Sequence, residues 1–277
     1  MIILTKVSPY NDELGNVVDC SDEYSKNVKI VFRGKNNRLV IEKGARIDSV
    51  SVAFDCDNGV CKIGAKDFGP GVKLKIRVGQ DSSVILGDNV STTGQCLMTA
   101  AEGSKVVVGS DVMIASGNYL RADDGHPIFD VSSGRRMNPS ADIIIGDHVW
   151  LATKAVVLGG AVINEGSVVG FGSIVTSRIP NNCIAVGSPA KVVRKNIAWE
   201  RPNLTKSKPY YKTDASTVKK SKFWNLTDDG SSSSESTAKS NSGAKSSARP
   251  VIVRHSPLRK RAGRLVRAIQ RRIPKGK

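Results

Sequence analysis

The chain has 277 residues, 39% of them hydrophobic, and a formal net charge of +17, enough apolar material for one large domain or two small ones. Residues 1–200 carry 22 Lys+Arg against 21 Asp+Glu, whereas residues 201–277 carry 20 against 4, so any charge argument for a polyanionic partner concerns the tail alone. No stretch reaches the ~18 apolar residues of a spanning helix, and the N-terminus lacks the basic and long apolar regions of a signal peptide. Five cysteines (Cys20, Cys56, Cys61, Cys96 and Cys183) without CxxC pairing point to reduced thiols in the cytoplasm, acting as small buried residues.

Along the chain, aliphatic residues recur at six-residue steps: Ile41 and Ile47 followed by Ala53, then Val78 and Val84, then Leu86, Thr92 and Met98, then Val108, Ile114 and Leu120. Phase breaks between these groups place loops or altered turns there. The largest break runs from Arg121 to about Asp142 and reads as a polar loop extruded between two repeats. The pattern then becomes regular through Ile145, Leu151, Val157, Ile163, Val169 and Val175, with Val149, Ala155, Ala161, Ser167 and Ser173 four positions after the first five. A helix of 3.6 residues per turn would carry such aliphatics around its surface, and an ordinary strand is too short to sustain them. A coil of short strands joined by tight corners keeps each aliphatic pointing inward, with the small residue at the corner.

The repeat ends at Ile179-Pro180, and Gly187-Ser188-Pro189 marks a turn out of the coil. The expected organisation is therefore a β-helix domain over residues 1–195 and a polar extension with isolated aromatics over 196–229. A Ser/Gly-rich linker over 230–248 and a basic segment over 249–277 complete it. In that segment Leu258, Ala262, Leu265, Ile269 and Ile273 fall three or four apart among eleven Lys+Arg and no acid, after a Ser256-Pro257 start. The pattern is that of a basic amphipathic helix suited to an anionic membrane surface. A polyanionic glycan or another assembly protein is a rival partner, and nucleic acid a less specific one.

The run IIGDHVWLATKAVVLGGAVINEGSVVGFGSIVTSRIPNNCIAVGSPAKVVRK resembles the C-terminal coils of the hexapeptide-repeat acyltransferase superfamily. The segment VGSDVMIASGNYLRADDGHPIFDVSSGRRMN is similar to its O-acetyltransferases of bacterial surface and capsular polysaccharides, including those acting on polysialic acid. The resemblance covers residues 75–195 well and 28–75 loosely. It implies an all-β, left-handed parallel β-helix, a homotrimer with sites between subunits, and acetyl-CoA as donor.

Making a sugar hydroxyl nucleophilic needs a base that works near neutrality, and histidine suits this. His126 stands on the extruded loop in Asp123-Asp124-Gly125-His126-Pro127, and the resemblance places the catalytic base there; otherwise it is a loop histidine without a task. Asp123 and Asp124 are candidates to orient its ring. His148 lies at a repeat corner and reads as an exposed or locally bonded side chain, and His255 belongs to the tail. Two body histidines do not make the three-histidine zinc site of metal-dependent relatives, so no metal is expected. Trp150, 24 residues after His126, matches the polysialic-acid subgroup; its indole can meet the thioester, or simply pack on the loop.

For the phosphates and pantetheine of acetyl-CoA the candidates are Lys191, Arg194 and Lys195 just past the coil. Gly170, Gly172 and Ser173 are candidates through backbone amides, and Lys154 lies on a corner. Arg135, Arg136 and Asn138 of the loop are candidates to meet an anionic acceptor. O-acetyl transfer to a polysaccharide, by direct attack, leads. N-acetyl transfer to a nucleotide-linked amino sugar, and a non-catalytic trimeric scaffold with a membrane-binding tail, stand as alternatives. The expected location is the cytoplasm, peripherally at the inner membrane face.

Overall fold

The six regular aliphatics, Ile145, Leu151, Val157, Ile163, Val169 and Val175, are all fully buried, and so are the five small residues that follow at four-residue spacing. One coil takes three hexads. In register, Val157 lies beside Val175, and Ile145 beside Ile163. Stacking of such coils lets each backbone pair with the next in parallel while one column of side chains fills the interior. The structure, a computed structural model, describes residues 1–21 and 24–228, and in them the fold is a parallel β-solenoid of about seven turns. The linker at 230–248 and the basic segment at 249–277 lie outside the described residues.

Three sheets form the faces. The first contains the strands Val28–Phe32, Arg46–Phe54, Val72–Val78, Cys96–Ala100, Tyr119–Arg121, Val156–Leu158 and Ile174–Val175. The second runs through Arg38–Ile41, Val60–Ile63, Ser83–Leu86, Lys105–Val108, Ile143–Ile145, Val162–Ile163 and Arg178–Ile179. The third starts only at Ser91–Thr92 and continues through Met113–Ile114, Trp150–Leu151, Val168–Val169 and Ile184–Gly187.

Before that point the coils are wider, and this is why the hexads lose phase. Val84 lies between Cys61 and Val106, steps of more than twenty residues. The nine-residue strand Arg46–Phe54 shifts register between Ile47 and Ser49, a bulge that bends it around a corner. Its inward residues are Val50, Val52 and Phe54; Ala53, expected in the inward column, is half-buried and faces out. The wide end is filled by aromatics, Tyr10, Phe32 and Phe54, stacked at 6.0 and 5.1 Å.

Both ends are covered, as an unpaired ladder edge requires. Ile2–Leu4 lies antiparallel on Val28–Phe32. At the other end the chain reverses after Gly187, so that Ala190–Arg194 pairs antiparallel with Ile184–Gly187 instead of leaving the coil at once. Residues 196–227 then fold back on the solenoid and belong to the same compact unit, Met1–Thr227. Of the cysteines, Cys61, Cys96 and Cys183 are buried, Cys20 is intermediate and Cys56 exposed; burial pushes the Cys61 and Cys96 thiols up to about 12.

Candidate active site

The extruded loop leaves Tyr119–Arg121 of the first sheet and returns at Ile143–Ile145 of the second. Its base is pinned because the Ala122 amide donates to Thr99 O (3.0 Å) and the Ala141 amide to Ala122 O (3.0 Å). Its far part is a small hairpin: Phe129 and Arg136 form an antiparallel bridge. Asp130 there accepts from the Ser132 and Ser133 hydroxyls and the Ser133 amide, bonds that hold its carboxyl down to about 2.

Asn138 joins the two arms. Its Oδ1 accepts from the Ile128 amide (2.6 Å), while its Nδ2 donates to Asp124 Oδ2 and to the His126 carbonyl, both at 2.9 Å. Arg136 pairs with Glu102 on the preceding corner and donates to Asn138 O, and the Ser140 hydroxyl also donates to Glu102. The Arg136 hydrogen bond, followed by that from Ser140, lowers Glu102 to about 2. Arg136 and Asn138, expected to meet the acceptor, are thus engaged in holding the loop.

So fixed, the His126 backbone presents an exposed imidazole whose ring nitrogens have no partner among the described residues. It lines a cavity of about 610 Å³ together with Asp123, Asp124, Arg121, Thr99, Glu102 and Cys56. Neither Asp123 nor Asp124 bonds the ring, although both face the same space. Cys56, remote in sequence, is a neighbour of this cavity that sequence spacing did not reveal.

Trp150 begins a strand of the third sheet, between Met113 and Val168, and does not line that cavity. Its ring meets Trp199, tilted at 47° with centroids 5.9 Å apart. Within one chain, therefore, His126 and Trp150 stand on different parts of the solenoid. Lys191 and Arg194 are exposed on the antiparallel strand, and Lys154 sits at a corner with φ +60°.

The amides of Gly170, Gly172 and Ser173 are not available to a pantetheine arm. They donate to Ala185 O (2.8 Å), Thr153 O (3.0 Å) and Gly170 O (3.3 Å), so the role expected of them is corrected. The Ser173 hydroxyl likewise accepts from the Gly187 amide (3.1 Å). What Gly172 supplies is room: with φ +64° and no atom within 4 Å of where a Cβ would stand, it leaves that corner open.

His148 differs from the sequence expectation. It occupies a corner with φ +52° and is buried. Nδ1 stands 2.5 Å from Asp111 Oδ2 and Nε2 3.0 Å from the Trp199 carbonyl, both at hydrogen-bonding distance and both partners far away in the chain. Trp199 and Phe223 stack on its two faces at 4.0 and 4.6 Å. The Trp199 indole N–H closes the arrangement on His148 O (3.1 Å). Arg201 pairs with the other Asp111 oxygen and reaches Ser91 Oγ (2.8 Å). Burial raises the Asp111 carboxyl, but the His148 hydrogen bond and the Arg201 charge outweigh it and leave it lowered. With both ring nitrogens engaged by protein oxygens, the ring has no free nitrogen to offer a substrate.

No protein-family model matches the chain. It is similar to the polysialic acid O-acetyltransferase of Neisseria meningitidis, 32% identical over 190 residues, which cover 68% of this chain and 87% of that one. The chain belongs to the hexapeptide-repeat acetyltransferases, in the branch related to enzymes of polysaccharide O-acetylation. The polysialic acid O-acetyltransferase of Escherichia coli O1:K1 / APEC is 39% identical over 130 residues, but there the match spans only 42% of the relative's length and 47% of this chain. Among solved structures, the polySia-specific acetyltransferase NeuO superposes with a TM-score of 0.61 at 35% identity, over 71% of this chain and 84% of that one. The polysialic acid O-acetyltransferase OatWY follows with 0.56 at 27%, over 68% and 89%.

Proposed function

We propose that this protein transfers an acetyl group from acetyl-CoA to a hydroxyl of a bacterial surface polysaccharide, with His126 as general base. The observation that carries this reading is the open imidazole of His126, held by Asn138 on the rim of a cavity large enough for a sugar unit. The names of the relatives support an acetyl donor and a polysaccharide acceptor; N-acetyl transfer and a silent scaffold have no comparable support.

The free ring nitrogen takes the proton of the acceptor hydroxyl as its oxygen attacks the thioester carbonyl. A tetrahedral oxyanion forms and collapses, the C–S bond breaks, and the imidazolium returns its proton to the leaving thiolate of CoA. Trp150, Lys154, Lys191, Arg194 and Lys195 are proposed to meet the thioester and phosphates on a neighbouring copy, because one chain does not bring Trp150 to the His126 cavity. A homotrimer with its sites between subunits, as the family resemblance implies, is the assembly proposed. Residues 249–277 are proposed to attach it to the inner face of an anionic membrane; deletion of that segment is then expected to abolish binding to anionic vesicles while transfer continues.

The test is incubation of the purified full chain with acetyl-CoA and oligosialic acid, followed by NMR of the glycan. New O-acetyl ester signals support the reading, and acetyl-CoA consumption without an ester on any polysaccharide of a capsular panel refutes it. Direct attack further predicts that Cys56→Ser, at the same cavity, retains turnover; its loss together with trapping of an acetyl-cysteine would replace direct attack by a two-step route.

A further inference from the structure

The tryptophans of this chain differ in what their indole N–H groups do. Trp199 donates to His148 O (3.1 Å) and Trp224 to Glu200 Oε1 (2.8 Å), whereas the Trp150 N–H has no acceptor among the described residues. Val149 and Leu151 on either side of Trp150 point into the core, so its ring faces outward from the third sheet. There it is half-buried, with Met113 and Val168 beside it in register. An indole on an outer sheet face has several staggered rotamers open to it. The aromatic ring that meets it comes from the segment after the coil, and it is that of Trp199.

Trp199 is itself firmly held. It is 9% exposed and stacks on His148 at 4.0 Å with the planes 12° apart. Its N–H bonds the His148 carbonyl, and its own carbonyl lies 3.0 Å from His148 Nε2. The next two residues extend the anchorage. Glu200 Oε1 also accepts from the Ser221 amide (2.6 Å), and Arg201 donates to Ser91 Oγ (2.8 Å) and Asn89 O (3.2 Å) while pairing with Asp111. The tilted contact, 5.9 Å and 47°, thus joins a fixed ring to one that carries an uncommitted donor. A neighbour locked by its own packing and hydrogen bonds removes alternative rotamers from the group it touches.

We propose that Trp199 is a positioning residue, which sets the orientation of the Trp150 indole and so aims its free N–H at the thioester of the acetyl donor. This rests on the reading that Trp150 meets the thioester, and it adds a residue outside the coil on which the rate depends. A donor aimed in advance at the carbonyl oxygen stabilises the oxyanion that forms there, so its orientation is felt in kcat. The hold on CoA, proposed to come from cations at its phosphates, is not affected.

The experiment is a double-mutant cycle of Trp199→Leu and Trp150→Phe in the full chain. It is read by acetyl transfer to oligosialic acid and by fluorine NMR of protein labelled with fluorotryptophan. Trp199→Leu is expected to lower kcat about tenfold, to leave KM for acetyl-CoA within about twofold, and to shift or broaden the Trp150 resonance. In the Trp150→Phe background the same substitution is expected to change kcat by less than about twofold. Trp199→Phe, which keeps a ring against His148, carries the same cycle should the leucine variant fail to fold, with a smaller loss of about threefold. The proposal is overturned if the Trp150 resonance stays where it was, or if kcat falls by the same factor with and without Trp150, as a purely structural role requires. Wild-type turnover by Trp150→Phe removes the thioester reading and this proposal with it. A slow Trp150→Phe with an unmoved fluorine signal in the Trp199 variants removes the positioning alone.

Discussion

Two histidines of the same solenoid, one at a coil corner and one on the extruded loop, end up with opposite chemistry. His148 is buried between two aromatic rings with both nitrogens engaged, tied to Asp111 and to Trp199, 51 residues downstream. His126 stands on an extruded loop with its backbone held and its ring free. Residue type alone therefore says little about a base. What distinguishes the two is whether a lone pair is left after the fold has used its hydrogen-bonding groups. His148 acts as a clasp for the C-terminal segment, and His126 is the residue with capacity for proton transfer.

The largest test of this contrast exchanges the effects of removing each ring. His126→Ala is expected to lower turnover by roughly 10²–10⁴-fold with unchanged stability. His148→Asn, which tolerates the positive φ, is expected to cost roughly 2–3 kcal/mol of stability, read by urea denaturation, with turnover reduced less than tenfold. Trp199→Ala removes one face of the clasp and its hydrogen bond; about 3 kcal/mol is expected to be lost, and an unaltered denaturation midpoint would break the clasp argument. Asn138→Ala frees the loop arm beneath the base and is expected to lower kcat about tenfold, with the melting temperature nearly unchanged.

The smallest effect is on pH. Glu102, lowered from 4.5 to about 2 in the folded protein, anchors the loop through Arg136 and Ser140. A lowered carboxyl stabilises above its unfolded value, and that contribution is lost as pH falls through the folded one. Loop amides near Ser140 are thus expected to lose hydrogen-exchange protection between pH 4.5 and 2, and Glu102→Gln to remove this step. Because Glu102 is largely exposed, the effect on global stability is small.

The regular half of the solenoid was legible because each hexad there repeats one strand and one corner, so a single inward column from Ile145 to Val175 suffices to read it. The earlier half was less so: coils of more than twenty residues and the bulge near Ile47 break the period, and Ala53, six residues after Ile47, faces out. The loop and His126 were legible as an interruption with a motif. The clasp was not. Trp199, Arg201 and Phe223 follow no period, and their isolated occurrence in a polar stretch signals only that something there packs. Arg121, Thr99 and Cys56 come together through strand register and a corner, which sequence separation conceals. Nor could spacing reveal that the amides of Gly170, Gly172 and Ser173 are already used within the coil.

The central claim is that the imidazole at position 126 accepts the acceptor's proton during acetyl transfer. The most direct measurement is acetyl-CoA turnover by His126→Ala with increasing imidazole in the buffer. The account predicts a nearly silent variant whose rate climbs with imidazole concentration. Wild-type turnover by His126→Ala with no imidazole added would contradict it.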